Sequence, residues 1–177
     1  MTVAAVANDQ EFTPAALAQL PKEPTDELLM LTWSDPELML SFVFPRAWNV
    51  RRTGERDVLL SLGNNSLVLH PEPEGKTPTT VEYADEVNRY LTSNRHPYST
   101  VRPPQEAVSA AGRVGHFQFA TTLERNPIVL DYWVVQRGSR GATMAGRVES
   151  DQATRLASDI ERIVRSLRFL SPRPDSQ

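Results

Sequence analysis

Cysteine is absent from the 177-residue sequence, which excludes disulfide bonds, thiolate metal sites and thiol catalysis. The three histidines, at positions 70, 96 and 116, lack the close spacing of a zinc motif such as His-x-x-x-His. The sequence also lacks a nucleotide-binding loop and the Gly-x-Ser-x-Gly elbow of a hydrolase. We therefore predict no metal, no cofactor and no catalytic residue, and we expect a protein that is not an enzyme.

Long apolar runs are also missing, since no segment approaches the roughly 20 residues needed to span a bilayer. The N-terminus lacks the basic region of a signal peptide, and its apolar stretch is short. We therefore expect a cytoplasmic protein, with a periplasmic or extracellular location as the alternative if Met1 precedes a mature chain. The net charge of −3 provides no general attraction to nucleic acids or acidic membranes, so we expect no nucleic-acid partner.

The chain length suits one domain with a substantial core. Residues 1–25 mix small and polar types with helix-breaking prolines, which predicts a flexible N-terminal arm. We place the folded domain at 26–170 and a flexible C-terminal tail at 171–177.

Alternating apolar residues predict a run of three antiparallel strands, over residues 114–123, 128–136 and 142–148. The first loop, at 124–127, has an even length, so odd positions on the first strand share a face with even positions on the second. This register places Phe119 opposite Tyr132. It likewise places Phe117 opposite Val134.

The second loop, at 137–141, contains two glycines that can adopt positive φ. A five-residue loop at this point sets Met144 opposite Val134. The same register sets Arg147 opposite Asp131, which predicts a cross-strand ion pair between these two side chains.

Two amphipathic helices are predicted. The terminal helix, at 152–167, repeats apolar residues at i, i+3, i+4 and i+7. We expect it to pack on the apolar side of the strands, which carries Phe117 and Phe119. An earlier helix ends near Ser93, and either of two adjacent threonines, at 79 and 80, serves as its N-terminal cap.

Further strands are predicted from the same alternation, at 27–33, 38–44, 57–62 and 98–102. A turn at Asn64-Asn65 pairs Leu62 with Leu67. The last of these strands ends before Pro103-Pro104, and residues 106–112 are interpreted as a connection into the next strand.

The segment Phe42-Val-Phe-Pro45, together with Trp48, and the helix end Ile163-Val-Arg-Ser-Leu-Arg-Phe169 resemble the PsbP/Mog-like superfamily. The likeness covers roughly residues 27 to 170 and includes the glycine-turn strands at 114–148. It implies an α+β fold, a single-domain sandwich in which an antiparallel β-sheet is flanked by helices. Members, which include bacterial DcrB-type proteins, usually work as binding or assembly modules without chemistry.

The face of the strands opposite Phe117 and Tyr132 is predicted to combine an aromatic side chain with polar and charged groups. Its predicted members are His116, Gln118, Asp131, Trp133, Thr143 and Arg147. Such a surface can bind a small ligand or a peptide. The alternative is that a second helix covers this face and that the predicted ion pair is purely structural.

We therefore expect a non-catalytic binding or assembly module that acts through a protein partner. The alternative is a small-ligand-binding protein or weak hydrolase that uses the polar and aromatic face. A third hypothesis, an accessory chaperone of a secretion system, comes from the resemblance to DcrB-type proteins and predicts an exposed apolar groove. The sequence specifies neither the partner nor the oligomeric state.

Overall fold

The computed structural model describes residues 29–171. The predicted arm at 1–25 and most of the predicted tail at 171–177 lie outside these residues. The described chain forms ten strands and two helices. In chain order they are β1 (Met30–Asp35), β2 (Leu40–Pro45), β3 (Asn49–Thr53), β4 (Asp57–Leu62), β5 (Asn65–Pro71), α1 (Thr80–Ser93), β6 (Tyr98–Ser109), β7 (Gly112–Leu123), β8 (Asn126–Arg137), β9 (Arg140–Glu149), α2 (Ala153–Ser166) and β10 (Arg168–Phe169).

The strands form two antiparallel sheets. The larger has seven strands in the order β3-β4-β5-β9-β8-β7-β6, and the smaller has three in the order β1-β2-β10. Helix α1 packs on one face of the large sheet, while α2 and the small sheet pack on the other. This arrangement confirms the predicted single-domain α+β sandwich. Neither helix of the described residues combines the length and apolar character needed to cross a bilayer.

The larger core lies between α2, strand β2 and the large sheet. Leu156, Ile160 and Ile163 of α2 are fully buried there, against Leu40 and Phe42 of β2. The expectation that the terminal helix packs beside Phe117 is wrong, because α2 lies on the opposite face of the sheet. Both faces of β7 and β8 carry apolar side chains, so alternation alone does not decide which helix covers which face.

The smaller core lies between α1 and the opposite face of the large sheet. Phe117 stacks on Tyr132 with ring centroids 4.9 Å apart, and Tyr83 of α1 meets Phe117 edge-on at 5.5 Å. The helix starts at a capping box in which Thr79 Oγ1 accepts from the Glu82 backbone N–H, and the Glu82 carboxylate accepts from the Thr79 N–H. The cap predicted at this position is therefore confirmed.

Two glycines let the chain that leads into α1 lie flat on the sheet. A Cβ atom on Gly115 would lie 1.8 Å from Thr80 Oγ1, and one on Gly141 would lie 2.0 Å from Thr77 Oγ1. Only glycine permits this close approach of side chain to strand backbone. These contacts set the position of the start of α1 over β7 and β9.

The β7–β8 hairpin has a tighter turn than the predicted four-residue loop. The turn is the pair 124–125, both with positive φ, and it places Phe117 opposite Tyr132 and Phe119 opposite Leu130. The predicted register is therefore wrong by two residues. The error is even, so the predicted sharing of faces by these strands is correct.

The β8–β9 hairpin is also closed by two residues, at 138–139, and not by five. Asp131 consequently faces Gly146, and Arg147 faces Leu130 on the side of α1. Arg147 is exposed. The predicted ion pair between Arg147 and Asp131 is wrong, because an odd error in loop length turns each side chain of β9 to the other face.

In the β4–β5 hairpin the two-residue turn is Gly63-Asn64 and not the predicted Asn64-Asn65, so Leu62 faces Asn65 instead of Leu67. Strand β6 differs more strongly from expectation. It continues through Pro103-Pro104 to Ser109, with register shifts on both sides of Arg102. Proline is tolerated there because β6 is an edge strand whose outward N–H groups have no ladder partner.

Candidate functional site

A cleft of about 320 Å³ opens on the α2 side of the large sheet, between α2 and the edge strand β6. Strands β7 and β8 form its floor. The outer surface of α2 forms one wall and the irregular middle of β6 forms the other. The lining side chains are Arg102, Gln105, Glu106 and Ala107 of β6, Val114, His116 and Gln118 of β7, Asp131 and Trp133 of β8, and Ala157, Glu161 and Arg165 of α2.

Strand pairing brings the four predicted floor residues together. His116 lies directly opposite Trp133, and Gln118 lies directly opposite Asp131. All four side chains project from the same face because each strand alternates with a period of two. The sequence prediction placed these four residues on one face, and the structure places them there in one contiguous cluster.

The carboxylate of Asp131 is the centre of this cluster. Its Oδ1 lies 2.6 Å from His116 Nε2 and accepts from Gln118 Nε2 at 3.0 Å. Its Oδ2 accepts from Trp133 Nε1 at 3.1 Å. Asp131 is only 4% exposed, and these partners satisfy a carboxylate that would otherwise be costly to bury.

The imidazole of His116 lies flat on the indole of Trp133, with ring centroids 3.6 Å apart and planes at 9°. Trp133 is 6% exposed, whereas the side chain of His116 is 16% exposed. A molecule in the cleft therefore meets His116 and Gln118. Trp133 and Asp131 lie beneath them and hold them in place.

The cleft offers hydrogen-bonding groups and charged side chains of both signs. Because Nε2 of His116 faces Asp131, Nδ1 is the ring nitrogen without a hydrogen-bond partner among the described residues. The walls add the exposed guanidinium of Arg102 and an ion pair between Arg165 and Glu161 with an N–O distance of 2.7 Å. These groups suit a polar or zwitterionic ligand better than an apolar one.

The walls were not anticipated from the sequence. Ala157, Glu161 and Arg165 follow one another at four-residue spacing, which identifies a stripe on a helix but not the element that it faces. Arg102 and Gln105 flank Pro103-Pro104, and that pair was the one signal that the strand is irregular there.

Arg147, which was also predicted at this site, is not at the cleft. It is exposed on the opposite face of the sheet, beside Leu130. Thr143 also lies on that face, where its hydroxyl donates to Glu72 at 2.7 Å. Among the described residues, no group of three or more histidine, aspartate or glutamate side chains is placed to hold a metal ion.

Comparison with solved structures finds the same arrangement of sheet and helices in a cyanobacterial protein, PsbP (CyanoP) from Synechocystis sp. PCC 6803. The TM-score is 0.62 and the sequence identity 11%, over 79% of this chain and 92% of that chain. This chain has the PsbP-like fold. The fold predicted from the sequence resemblance is therefore confirmed.

Two further structures share the PsbP-like fold. LpqN of Mycobacterium tuberculosis, described as involved in cell envelope biogenesis, has a TM-score of 0.52 and 9% identity over 90% of this chain and 98% of that chain. A crystal structure from Bacteroides thetaiotaomicron VPI-5482 has a TM-score of 0.52 and 15% identity, and it covers 79% of this chain and 48% of that chain. No family model matches the sequence, and no curated protein matches it significantly. At these identities the likeness shows the fold alone.

Proposed function

We propose that this PsbP-like protein is a non-catalytic binding module, and that a partner protein inserts polar side chains into the cleft between α2 and β6. The observation that carries the proposal is the triple hydrogen bonding of Asp131 by His116, Gln118 and Trp133. This network fixes the exposed edge of His116 before any partner arrives. A rigid, pre-organised contact loses little entropy on binding.

The chemistry of the lining supports recognition over catalysis. Among the described residues that line the cleft there is no serine, threonine, cysteine or lysine to act as a nucleophile beside His116. Both oxygens of Asp131 are already engaged with neighbouring donors. The walls instead offer charges of both signs, which favour orientation and selectivity in an encounter with a partner.

The similar structures support an accessory role. LpqN is involved in cell envelope biogenesis, and we extend a supporting function of that general kind to this chain as part of the proposal. The lining of the cleft differs from the apolar groove that a secretion chaperone would need for a partner helix. The compartment in which the module works stays a prediction.

The proposal is tested by affinity purification of the full chain from the source cell with quantitative mass spectrometry. We expect a stoichiometric partner that is retained by Arg147→Ala and lost by His116→Ala combined with Gln118→Ala. The Arg147 variant is a matched control because it removes a charge from the opposite face of the same sheet. Retention of every partner by the double variant would contradict the proposal.

A second candidate, a small-ligand-binding protein, is favoured by the size of the cleft. Its volume of about 320 Å³ falls at the lower end of the range of about 300–1,000 Å³ for small-molecule sites. A thermal-shift screen of polar and zwitterionic compounds would distinguish the two. A compound that stabilises the full chain but not the His116→Ala variant would favour the small ligand over the partner protein.

A further inference from the structure

A second cleft, of about 850 Å³, lies just beyond the C-terminal end of α2, between strand β10 and the β8–β9 turn. Its most prominent feature is a set of four guanidinium groups. They belong to Arg56, Arg137, Arg140 and Arg168. We call this region the basic cleft.

None of these four arginines forms an ion pair with a carboxylate in the described part of the chain. Arg140 is committed to backbone oxygens, since it donates to the carbonyls of Leu38 and Met39 and lies over the ring of Phe169 at 4.9 Å. It therefore connects β9 to the small sheet. The other three arginines have fewer contacts and more free donors.

Arg137 differs from the others in having a buried donor without an acceptor. One of its terminal nitrogens donates to the carbonyl of Ala111 at 2.8 Å, and its Nε is buried without any acceptor. Burial lowers the pKa of Arg137, and the positive charges of Arg168 and Arg165 lower it further. Arg165 is already paired with Glu161, but Arg137 and Arg168 lie within electrostatic reach of each other, which is unfavourable unless an anion joins them.

Two acidic side chains also line the basic cleft, and against the four arginines they leave a formal excess of two positive charges. Glu72 accepts from Thr143 at 2.7 Å and Glu74 accepts from Ser139 at 2.5 Å. Arg168 donates hydrogen bonds to carbonyl oxygens at the end of α2, where the helix dipole favours a cation. Neither effect provides an acceptor for Arg56 or for the free donors of Arg137.

We propose that the basic cleft binds a phosphate-type oxyanion, carried by a soluble small molecule or by a lipid headgroup. Guanidinium groups present paired N–H donors that match phosphate oxygens. A multiply charged anion between Arg137 and Arg168 replaces mutual repulsion by attraction. The proposal is independent of the function proposed for the cleft between α2 and β6.

The first test measures the thermal stability of the full chain in inorganic phosphate and in chloride at matched ionic strength. We expect phosphate to raise the Tm of the unaltered protein. The stabilisation should disappear in Arg137→Gln combined with Arg168→Gln and persist in Arg147→Gln, which removes an exposed charge elsewhere. The affinity by calorimetry should fall by at least about tenfold in the double variant, as expected for lost charge-assisted hydrogen bonds.

Arg56→Gln keeps the test decisive if the double variant unfolds. Arg56 is exposed and its side chain forms no hydrogen bond or ion pair in the described chain, so this variant is expected to fold normally and to bind phosphate less tightly. Stabilisation that is equal in chloride and phosphate, or that survives in both the Arg56 and the double variant, would overturn the proposal.

Flotation with vesicles separates the two possible sources of the phosphate. Vesicles of neutral phosphatidylcholine are compared with vesicles that also contain anionic phosphatidylglycerol, at the same ionic strength. Binding that requires the anionic lipid and is lost in the double variant assigns the headgroup as ligand. Phosphate binding without vesicle binding assigns a soluble molecule. Vesicle binding that the double variant retains counts against the basic cleft.

Discussion

The two faces of the seven-stranded sheet are built from alternate residues of the same strands, yet they differ in how completely they are covered. On the α1 face, Phe117 and Phe119 are almost fully buried beside Tyr132. On the α2 face, the intervening residues His116 and Gln118 are partly exposed at a cleft. A single hairpin thus contributes both a closed core and an open polar floor.

The difference comes from where each helix lies. Helix α1 packs across β6, β7 and β8, whereas α2 packs mainly along β2 and contacts β8 more than the other two of these strands. Strand β7, which α2 contacts less than β8, carries the partly exposed members of the polar network, His116 and Gln118. We infer that the network replaces apolar packing as the means of holding the floor side chains in place.

Substitution of Phe117 by alanine should have the largest effect, because it removes a fully buried ring from the α1 face. We expect the free energy of unfolding to fall by about 3–5 kcal/mol. Gln118→Ala is the matched control one residue away on the other face, with an expected loss of about 1 kcal/mol for one hydrogen bond. Urea unfolding followed by circular dichroism measures both. Equal losses would show that the two faces do not differ in this way.

Substitution of Asp131 by alanine tests the open face. It leaves the ring nitrogens of His116 and Trp133 without their acceptor, and we expect a loss of about 2–3 kcal/mol. The indole fluorescence should also report a looser environment for Trp133. If Asp131→Ala were as stable as the unaltered protein, the carboxylate would not organise the floor of the cleft.

Substitution of Gly115 by alanine tests how α1 is seated. The added Cβ would lie 1.8 Å from Thr80 Oγ1, so the start of the helix must move, at a cost of about 1–3 kcal/mol. Thr80→Gly in the same chain should restore part of the loss by removing the clashing side chain. Hydrogen exchange should show weaker protection in the first turn of α1. If neither the stability nor the hydrogen exchange of the first turn changed, the start of the helix would not be held by this contact.

The sequence predicted which side chains of β7 and β8 share a face of the sheet, but it did not predict which residues pair across neighbouring strands. The turns at 124–125 and 138–139 proved to be two residues long, where longer loops had been predicted, and the two-residue turn predicted at Asn64-Asn65 lies one residue earlier, at 63–64. A loop error of two residues leaves faces unchanged, so His116 and Asp131 were correctly grouped. The error of three residues in the last turn moved Arg147 to the wrong face.

The covering of the faces depends on contacts that are distant in the sequence. The pattern of α2 shows an apolar stripe, but nothing local indicates that this stripe meets β2 in preference to Phe117. The same holds for the walls of the cleft, because Glu161 and Arg102 are separated by more than fifty residues and are brought together only by the fold. The alternation along the strands predicted the floor of the cleft, whereas the walls of the cleft depend on tertiary packing.

The smallest predicted effect concerns the ionisation of Tyr132 on the α1 face. Burial, followed by the nearby Tyr90, raises the pKa of Tyr132 from 10.0 to about 12. The neutral phenol is therefore favoured in the folded state, and its stabilising contribution is complete below pH 10 and is lost as the pH rises towards 12. Tyr132→Phe has no phenol to ionise, so its free energy of unfolding should fall less steeply than that of the unaltered protein across this interval. The comparison is made by urea unfolding at a series of alkaline pH values, and parallel pH profiles would indicate that water reaches this ring as readily as it reaches the floor of the cleft.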